Sequence, residues 1–373
     1  MAIASGTAVG GVRDADRLLL ECVEFDATDA VLDLAPGAAL LTLASAKTAR
    51  STVALTRFIQ EHDSLQSILT GELAVEVRSG HGPGAVDKAF DVVVIRTTAS
   101  RRLTQRWITE GWLRLNHGGR LYLAGEIRSG IKPAIAHLTS ICANTTTLAV
   151  KKRCRVALAT RSADSPPPSV DTTDPFELCE YTVQNESVPV WATPGVFSWD
   201  RLDQGTSDLL DAMEVREGED VIDLGCGTGV VGAVAAKSVG WPGIAMLDSD
   251  WLAVEAARRT VEHHGGDRNQ VMWSDCCKAV NEREFDVAVT NPPRHQGKDT
   301  DLQTVNRFLF EAAAILKPEG RFYAVSSRGM KLIEPMETLF RNVKTLSLTP
   351  QYQVCMASRP RQGHPLSPLG SQP

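Results

Sequence analysis

The stretch Thr290-Asn291-Pro292-Pro293-Arg294-His295 stands directly after the apolar run Phe285 to Val289. Two consecutive prolines fix the backbone and remove two donors, so the carbonyls of this turn face outward from a rigid bend. A side-chain amide next to such a carbonyl makes a pair of acceptors. Asn291 Oδ1 and the Pro292 carbonyl can each take one hydrogen of a planar amino group, which turns the nitrogen lone pair toward an electrophile. Asn291, Pro292 and Pro293 are therefore the candidate catalytic residues. The bland alternative is a turn that only ends a strand.

A second stretch, Asp223-Leu224-Gly225-Cys226-Gly227-Thr228-Gly229, follows a buried apolar run and opens a helical one. Its glycines let backbone pass close to a ligand. The spacing G-x-G-x-G differs from the G-x-G-x-x-G of nicotinamide enzymes, and no Lys-Ser/Thr pair follows to hold phosphates. The ligand favoured is a nucleoside carrying an amino acid. Asp248, at the end of the next apolar run, can accept from both ribose hydroxyls, with Asp250 as the alternative. Asp275, after Val271-Met272-Trp273, can accept from an adenine amino group. Each acid by itself could equally cap a helix. Asp223, Gly225, Cys226, Gly227, Gly229, Asp248 and Asp275 form the expected cofactor set. With a methyl on cationic sulfur as electrophile, catalysis would consist mostly of alignment and exclusion of water.

None of the eight cysteines lies in a C-x-x-C pair, which argues for free thiols and against a zinc site or a redox pair. No metal is expected. Cys226 has no base near it in sequence to activate it as a nucleophile.

The elements that must position these residues alternate. Short β-branched runs ending in turns are followed by helical patterns, such as Trp251 to His263 and Asn306 to Leu316. That alternation predicts an α/β protein with parallel sheets, with ligands at the carboxyl ends of the strands. The pattern also occurs twice. Ala30-Val31-Leu32-Asp33-Leu34 matches Asp220-Val221-Ile222-Asp223-Leu224, Phe90-Asp91-Val92 matches Phe285-Asp286-Val287, and Gly119-Arg120-Leu121-Tyr122 matches Gly320-Arg321-Phe322-Tyr323. The Pro-rich stretch around Pro166 to Pro168 separates the copies. The expected organisation is a first domain over 1–161, a linker over 162–175, a second domain over 176–358 and a flexible tail over 359–373.

DLGCGTG at 223–229 and NPPRHQG at 291–297, preceded by Pro194-Gly195-Val196-Phe197-Ser198 and Leu202-Asp203-Gln204-Gly205, resemble the bacterial ribosomal RNA guanine-N2 methyltransferases of the small-subunit type. Gly125 to Lys132 resembles a segment of that family's first domain. The resemblance spans almost the whole chain. It implies two tandem Rossmann-like methyltransferase folds, the N-terminal one degenerate, with S-adenosyl-L-methionine as cofactor and ribosomal RNA or a ribosomal subunit as partner. It also implies methylation of the N2 amino group of one guanine, with Phe197, Arg294 and His295 against the substrate. Arg294 departs from the family, which usually places an aromatic residue after the prolines to stack on the target base; a guanidinium plane can also stack. In the first copy, Ala35-Pro36-Gly37 replaces the glycine loop and Arg96-Thr97-Thr98 aligns with Asn291-Pro292-Pro293, so no cofactor is expected there.

Net charge is −6, from 39 Lys and Arg against 45 Asp and Glu. The imbalance lies in the second half, because residues 1–165 hold 20 bases and 16 acids. Arg96, Arg101, Arg102 and Arg106, and again Lys151, Lys152, Arg153 and Arg155, could engage phosphates or simply form a solvated face. Arg359 and Arg361 of the tail are likewise open to RNA. No apolar run spans a bilayer and no secretory signal is evident, which points to a cytoplasmic protein or one of an organelle interior. The alternatives are an amino methyltransferase for DNA adenine or protein glutamine, and a non-catalytic RNA-binding assembly factor.

Overall fold

In the computed structural model of the chain, the described residues are 12–69, 74–162, 174–292, 298–330 and 332–361, with the side chains of 298–304 excepted. Most of the expected linker and residues 362–373 of the expected tail lie outside them. The chain divides into two compact units, Met1–Pro175 and Phe176–Pro373.

The first unit runs α1 (Asp14–Cys22), β1 (Ala30–Leu34), α2 (Leu40–Thr48), β2 (Ser51–Thr56), α3 (Ile59–Ile68), β3 (Val75–Ser79), β4 (Phe90–Arg96), α4 (Arg101–Leu113), β5 (Leu115–Glu126), α5 (Ile131–Ile141), β6 (Thr145–Lys151) and β7 (Cys154–Thr160). Its seven strands are ordered β3-β2-β1-β4-β5-β7-β6. The first five are parallel, and β7 lies antiparallel to both its neighbours.

The second unit opens with a hairpin, β8 (Glu177–Val183) and β9 (Glu186–Ala192). Gln184 and Asn185 at its turn both have positive φ, the backbone that matches strand twist in a two-residue connection. There follow α6 (Gln204–Ala212), β10 (Val221–Leu224), α7 (Val230–Val239), β11 (Ile244–Asp248), α8 (Trp251–His263), β12 (Val271–Trp273), β13 (Phe285–Thr290), α9 (Lys298–Ile315), β14 (Leu316–Ser327), α10 (Ile333–Leu339), β15 (Phe340–Leu348) and β16 (Tyr352–Pro360). The order β12-β11-β10-β13-β14-β16-β15 repeats the first sheet strand for strand. Both units are thus Rossmann-like, and the α/β expectation holds.

Burial follows from this topology. β1 and β10, central in their sheets, are buried throughout and apolar except for Asp33 and Asp223. The helices bury one stripe. In α8, Leu252, Ala256, Ala257, Thr260 and Val261 face the sheet; Asp250 caps the helix start, and Gly265 at φ 80° follows its end.

The duplication reaches individual bonds. β5 and β14 are 12 residues each with one burial pattern, and both pair with their parallel neighbour through a register shift at the same place. The Ala30 N–H donates to Asp91 Oδ2, and the Asp220 N–H to Asp286 Oδ2, each at 2.9 Å. Arg120 pairs with Asp29 and Arg321 with Glu219, both at 2.6 Å.

One expectation is corrected at the chain's end. β16 continues through Arg359 to Pro360, past the expected boundary at 358, because its ladder with β15 closes at Phe340–Pro360. Arg359 pairs with Glu319 at 2.8 Å while staying more than half exposed, and Arg361 donates to the Phe340 carbonyl.

Candidate active site

The glycine loop joins β10 to α7 at the carboxyl end of the sheet. Gly225, Gly227 and Gly229 all have positive φ, where a Cβ would clash with its own backbone. Gly227 faces open space, with nothing within 4 Å of where its Cβ would be. At Gly229, by contrast, a Cβ would lie 3.1 Å from that of Ala257, so this glycine lets the loop approach α8 closely. The loop is tied to β11: the Gly225 and Cys226 N–H groups donate to the Leu247 carbonyl at 2.8 and 3.0 Å, and the Gly227 N–H to Asp248 Oδ2 at 3.0 Å. Cys226 is buried, and burial together with the charges of Asp248 and Asp223 pushes its thiol well up, so it stays neutral and has no nucleophilic role.

The three acids differ in their surroundings. Asp223 is 3% exposed and its Oδ2 has no hydrogen-bond partner among the described residues. Burial, then the charge of Asp248, raises its carboxyl to about 7. An orphaned buried carboxylate oxygen beside an open, glycine-walled loop fits a cationic, hydrogen-bonding ligand. Asp248 accepts from the Gly227 and Asp250 N–H groups, which aims it at the loop. Asp250 accepts from the Leu252 N–H and is the N-cap of α8, so the capping reading holds for it and not for Asp248. Asp275 is buried between two cations, Arg307 and Lys278, each at 2.6 Å. Arg307 also pairs with Glu311 at 2.5 Å. Lys278 stands three residues on in the chain, whereas Arg307 comes from α9 and was not legible as a neighbour in sequence.

Beside Asp275, the ligand atoms of Cys276, Cys277 and Glu311 lie within 4.8 Å of one another. The Glu311 oxygens already accept from Arg307 Nε and the Cys277 N–H, so this cluster closes on itself rather than converging on a cation.

Asn291 and Pro292 follow β13, which is the direct neighbour of β10. Leu224 lies opposite Thr290, and Thr290 Oγ1 donates to the Leu224 carbonyl at 2.7 Å, so the Asn-Pro turn emerges next to the glycine loop. The Asn291 amide nitrogen donates to Thr206 Oγ1 at 2.8 Å and to Asp203 Oδ2 at 3.2 Å. Pro293, Arg294 and His295 lie outside the described residues. Phe197 is 50% exposed, a large aromatic face open to solvent, and Tyr181 Oη fixes its segment by donating to the Ser198 carbonyl at 2.5 Å. Asp203 and Thr206 were missed as site residues. Their signal was an Asp-x-x-Thr helix start, which by itself reads as capping.

The equivalent place in the first unit is filled by its own side chains. Ala35, Gly37 and Ala39 reproduce the positive φ angles of the three loop glycines, so the loop shape survives in a chain that has lost two of them. Where Gly227 faces open space, Gly37 has Arg13 Nη2 at 3.2 Å from its Cβ position. Arg96, level with Asn291, donates to Asp33 at 2.5 Å and Asp16 at 2.6 Å; Asp33 is level with Asp223. The Arg96 side chain is only 4% exposed, so the expectation that it engages phosphates is corrected: it neutralises buried carboxylates instead. Arg106 is half-buried against Glu110.

A seven-stranded doubly wound sheet of this order, with a glycine loop after its first strand and an Asn-Pro turn after its fourth, defines an S-adenosylmethionine-dependent methyltransferase, and known proteins agree. Residues 187–356 match the methyltransferase small domain family. The ribosomal RNA small subunit methyltransferase C of Hahella chejuensis is 30% identical over 73% of this chain and 79% of its own length, and that of Pseudomonas aeruginosa is 31% identical over 76% and 83%. A T. thermophilus 16S rRNA N2 guanine methyltransferase, solved in complex with AdoMet and guanosine, superposes with a TM-score of 0.81 at 25% identity, covering 95% of this chain and 94% of that one. The chain belongs to the ribosomal RNA small subunit methyltransferase C family. Among the described residues, no helix is long and apolar enough to cross a membrane.

Proposed function

We propose that this enzyme methylates the exocyclic N2 amino group of a guanine in small-subunit ribosomal RNA, and that its second unit alone carries the site. The observation that carries this reading is the placement of the Asn291-Pro292 turn, its amide anchored through nitrogen, directly beside the glycine loop. The thermophilic relative's complex with AdoMet and guanosine supports the same substrate class.

In this reading the backbone of Gly225, Cys226, Gly227 and Gly229 and the carboxylates of Asp223, Asp248 and Asp275 hold S-adenosylmethionine, which supplies an electrophilic methyl on cationic sulfur. Asn291 Oδ1 and the Pro292 carbonyl accept the two amino hydrogens and so turn the nitrogen lone pair out of conjugation with the base. Phe197 offers a stacking face, and Arg294 and His295 complete the substrate side. The N–C bond forms as the C–S bond breaks, and the surplus proton leaves the nitrogen for water. Position and water exclusion supply most of the rate. Filled by Arg13 and Arg96, the first unit binds no cofactor and serves to support the second or to hold RNA.

The test is mass-spectrometric nucleoside analysis of ribosomal RNA from cells lacking the protein, complemented with wild type or Asn291→Ala. N2-methylguanosine should fall in the deletion and return only with wild type. Unchanged RNA methylation would move protein or DNA substrates to the front.

A further inference from the structure

We infer that Asp203 and Thr206 are positioning residues that set which edge of the Asn291 amide meets the substrate; this rests on the reading of Asn291 as the acceptor of the substrate amino group. An Asn side chain is nearly symmetric in shape but opposite in chemistry at its two ends, one a double donor and the other an acceptor. Turned by half a rotation, it would present N–H groups to the substrate's own N–H groups, and the turn would repel the base it must hold. The side chain therefore needs something that distinguishes its ends. Pro292, fixed in φ, restrains the backbone but does nothing to choose the orientation of the amide.

The distinguishing groups come from the start of α6. Asp203 Oδ2, a pure acceptor when ionised, lies 3.2 Å from Asn291 Nδ2, and Thr206 Oγ1 lies 2.8 Å from it. Asp203, which can only accept, admits only the nitrogen at that end, the Thr206 hydroxyl takes its second hydrogen, and so Oδ1 occupies the opposite edge. The pair is itself held. Asp203 caps α6 by accepting from the Thr206 N–H at 3.2 Å, and Tyr352 Oη of β16 donates to Asp203 Oδ1 at 3.5 Å. Thr206 is 7% exposed, so water competes poorly for its hydroxyl. The residues just before this cap carry Phe197 and the Ser198 carbonyl tied to Tyr181, which places the candidate stacking face and the orienting cap on one short segment. A base docking on that segment meets an Asn291 already turned the right way.

Thr206→Val keeps the shape and removes the acceptor. It should lower kcat about 100-fold, the cost of a small misplacement at the reacting centre, while S-adenosylmethionine affinity by calorimetry and the melting temperature stay near wild type. Thr206→Ser should restore most of kcat. The sharper arm exchanges donor and acceptor. Asn291→Asp sets a second carboxylate against Asp203 and should be nearly inactive. Combining it with Asp203→Asn lets the new amide donate to the new carboxylate, and should recover at least about tenfold of the lost kcat, a coupling that a merely structural role would not produce. If Asn291→Ala retains full activity, the reading of the site itself fails. If Asn291→Ala is dead while Thr206→Val keeps wild-type kcat and the exchange recovers nothing, the positioning role is overturned and the site reading stands.

Discussion

At the scale of the residue, Asp223 shows how one atom without a partner among the described residues reports on a ligand. A carboxyl raised to about 7 is protonated in much of the free enzyme at neutral pH, whereas a cationic ligand prefers it ionised. Binding must then release a proton below that pH. The affinity for S-adenosylmethionine should rise by up to about tenfold per pH unit on approaching neutrality and level off above it. Calorimetry in buffers of different ionisation enthalpy reads that proton directly, and Asp223→Asn should flatten the profile. The sign for the free fold is the reverse. The folded chain binds this proton more tightly than the unfolded one, so Asp223 costs stability progressively as pH rises from the ordinary carboxylate range to about 7. Much of this site was legible, because acid, glycine spacing and Asn-Pro-Pro are local patterns. The Arg307 pairing of Asp275 and the Thr206 anchor of Asn291 were not, because each partner arrives from another element.

At the scale of the element, the loop after the first strand of each sheet shows what a lost function leaves behind. The first copy keeps the loop's φ angles with alanines at two of three glycine positions, and closes the space with Arg13 and Arg96. Burial alone would lower the charge of Arg96, but Asp33 and Asp16 outweigh it and hold the guanidinium charged. Asp16 is likewise pushed up by burial, yet Arg96 and Arg13 bring it below the usual carboxylate range. Arg96→Met should leave the buried Asp33 without its cation and Asp16 with Arg13 alone, and cost about 3–5 kcal/mol, seen as a lower unfolding midpoint in urea. The same substitution should confer no cofactor binding on that unit. The hairpin β8–β9 went unremarked in sequence although its Gln-Asn turn and alternating flanks are local signals. It belongs to the second unit, with the Trp191 N–H donating to Thr260 Oγ1 and His264 Nε2 bonded to the Pro189 carbonyl.

At the scale of the whole molecule, two copies of one fold have kept the same bonds at the amino ends of their strands and diverged at the carboxyl ends, where chemistry is done. Calorimetric titration with S-adenosylmethionine should therefore give one site per chain, and two sites would refute the division of labour between the units. The sequence by itself determined the fold class, the duplication and the cofactor loop, since strand burial and turn chemistry are written in residues adjacent along the chain. It did not determine which charges are free. Arg96 reads as an open base, but it neutralises a buried pair of carboxylates. The ends of the Asn291 amide are likewise indistinguishable until α6 brings Asp203 and Thr206 beside them. Partners 85 or more residues apart meet only when the chain has folded, and electrostatics and hydrogen bonding act on distance in space.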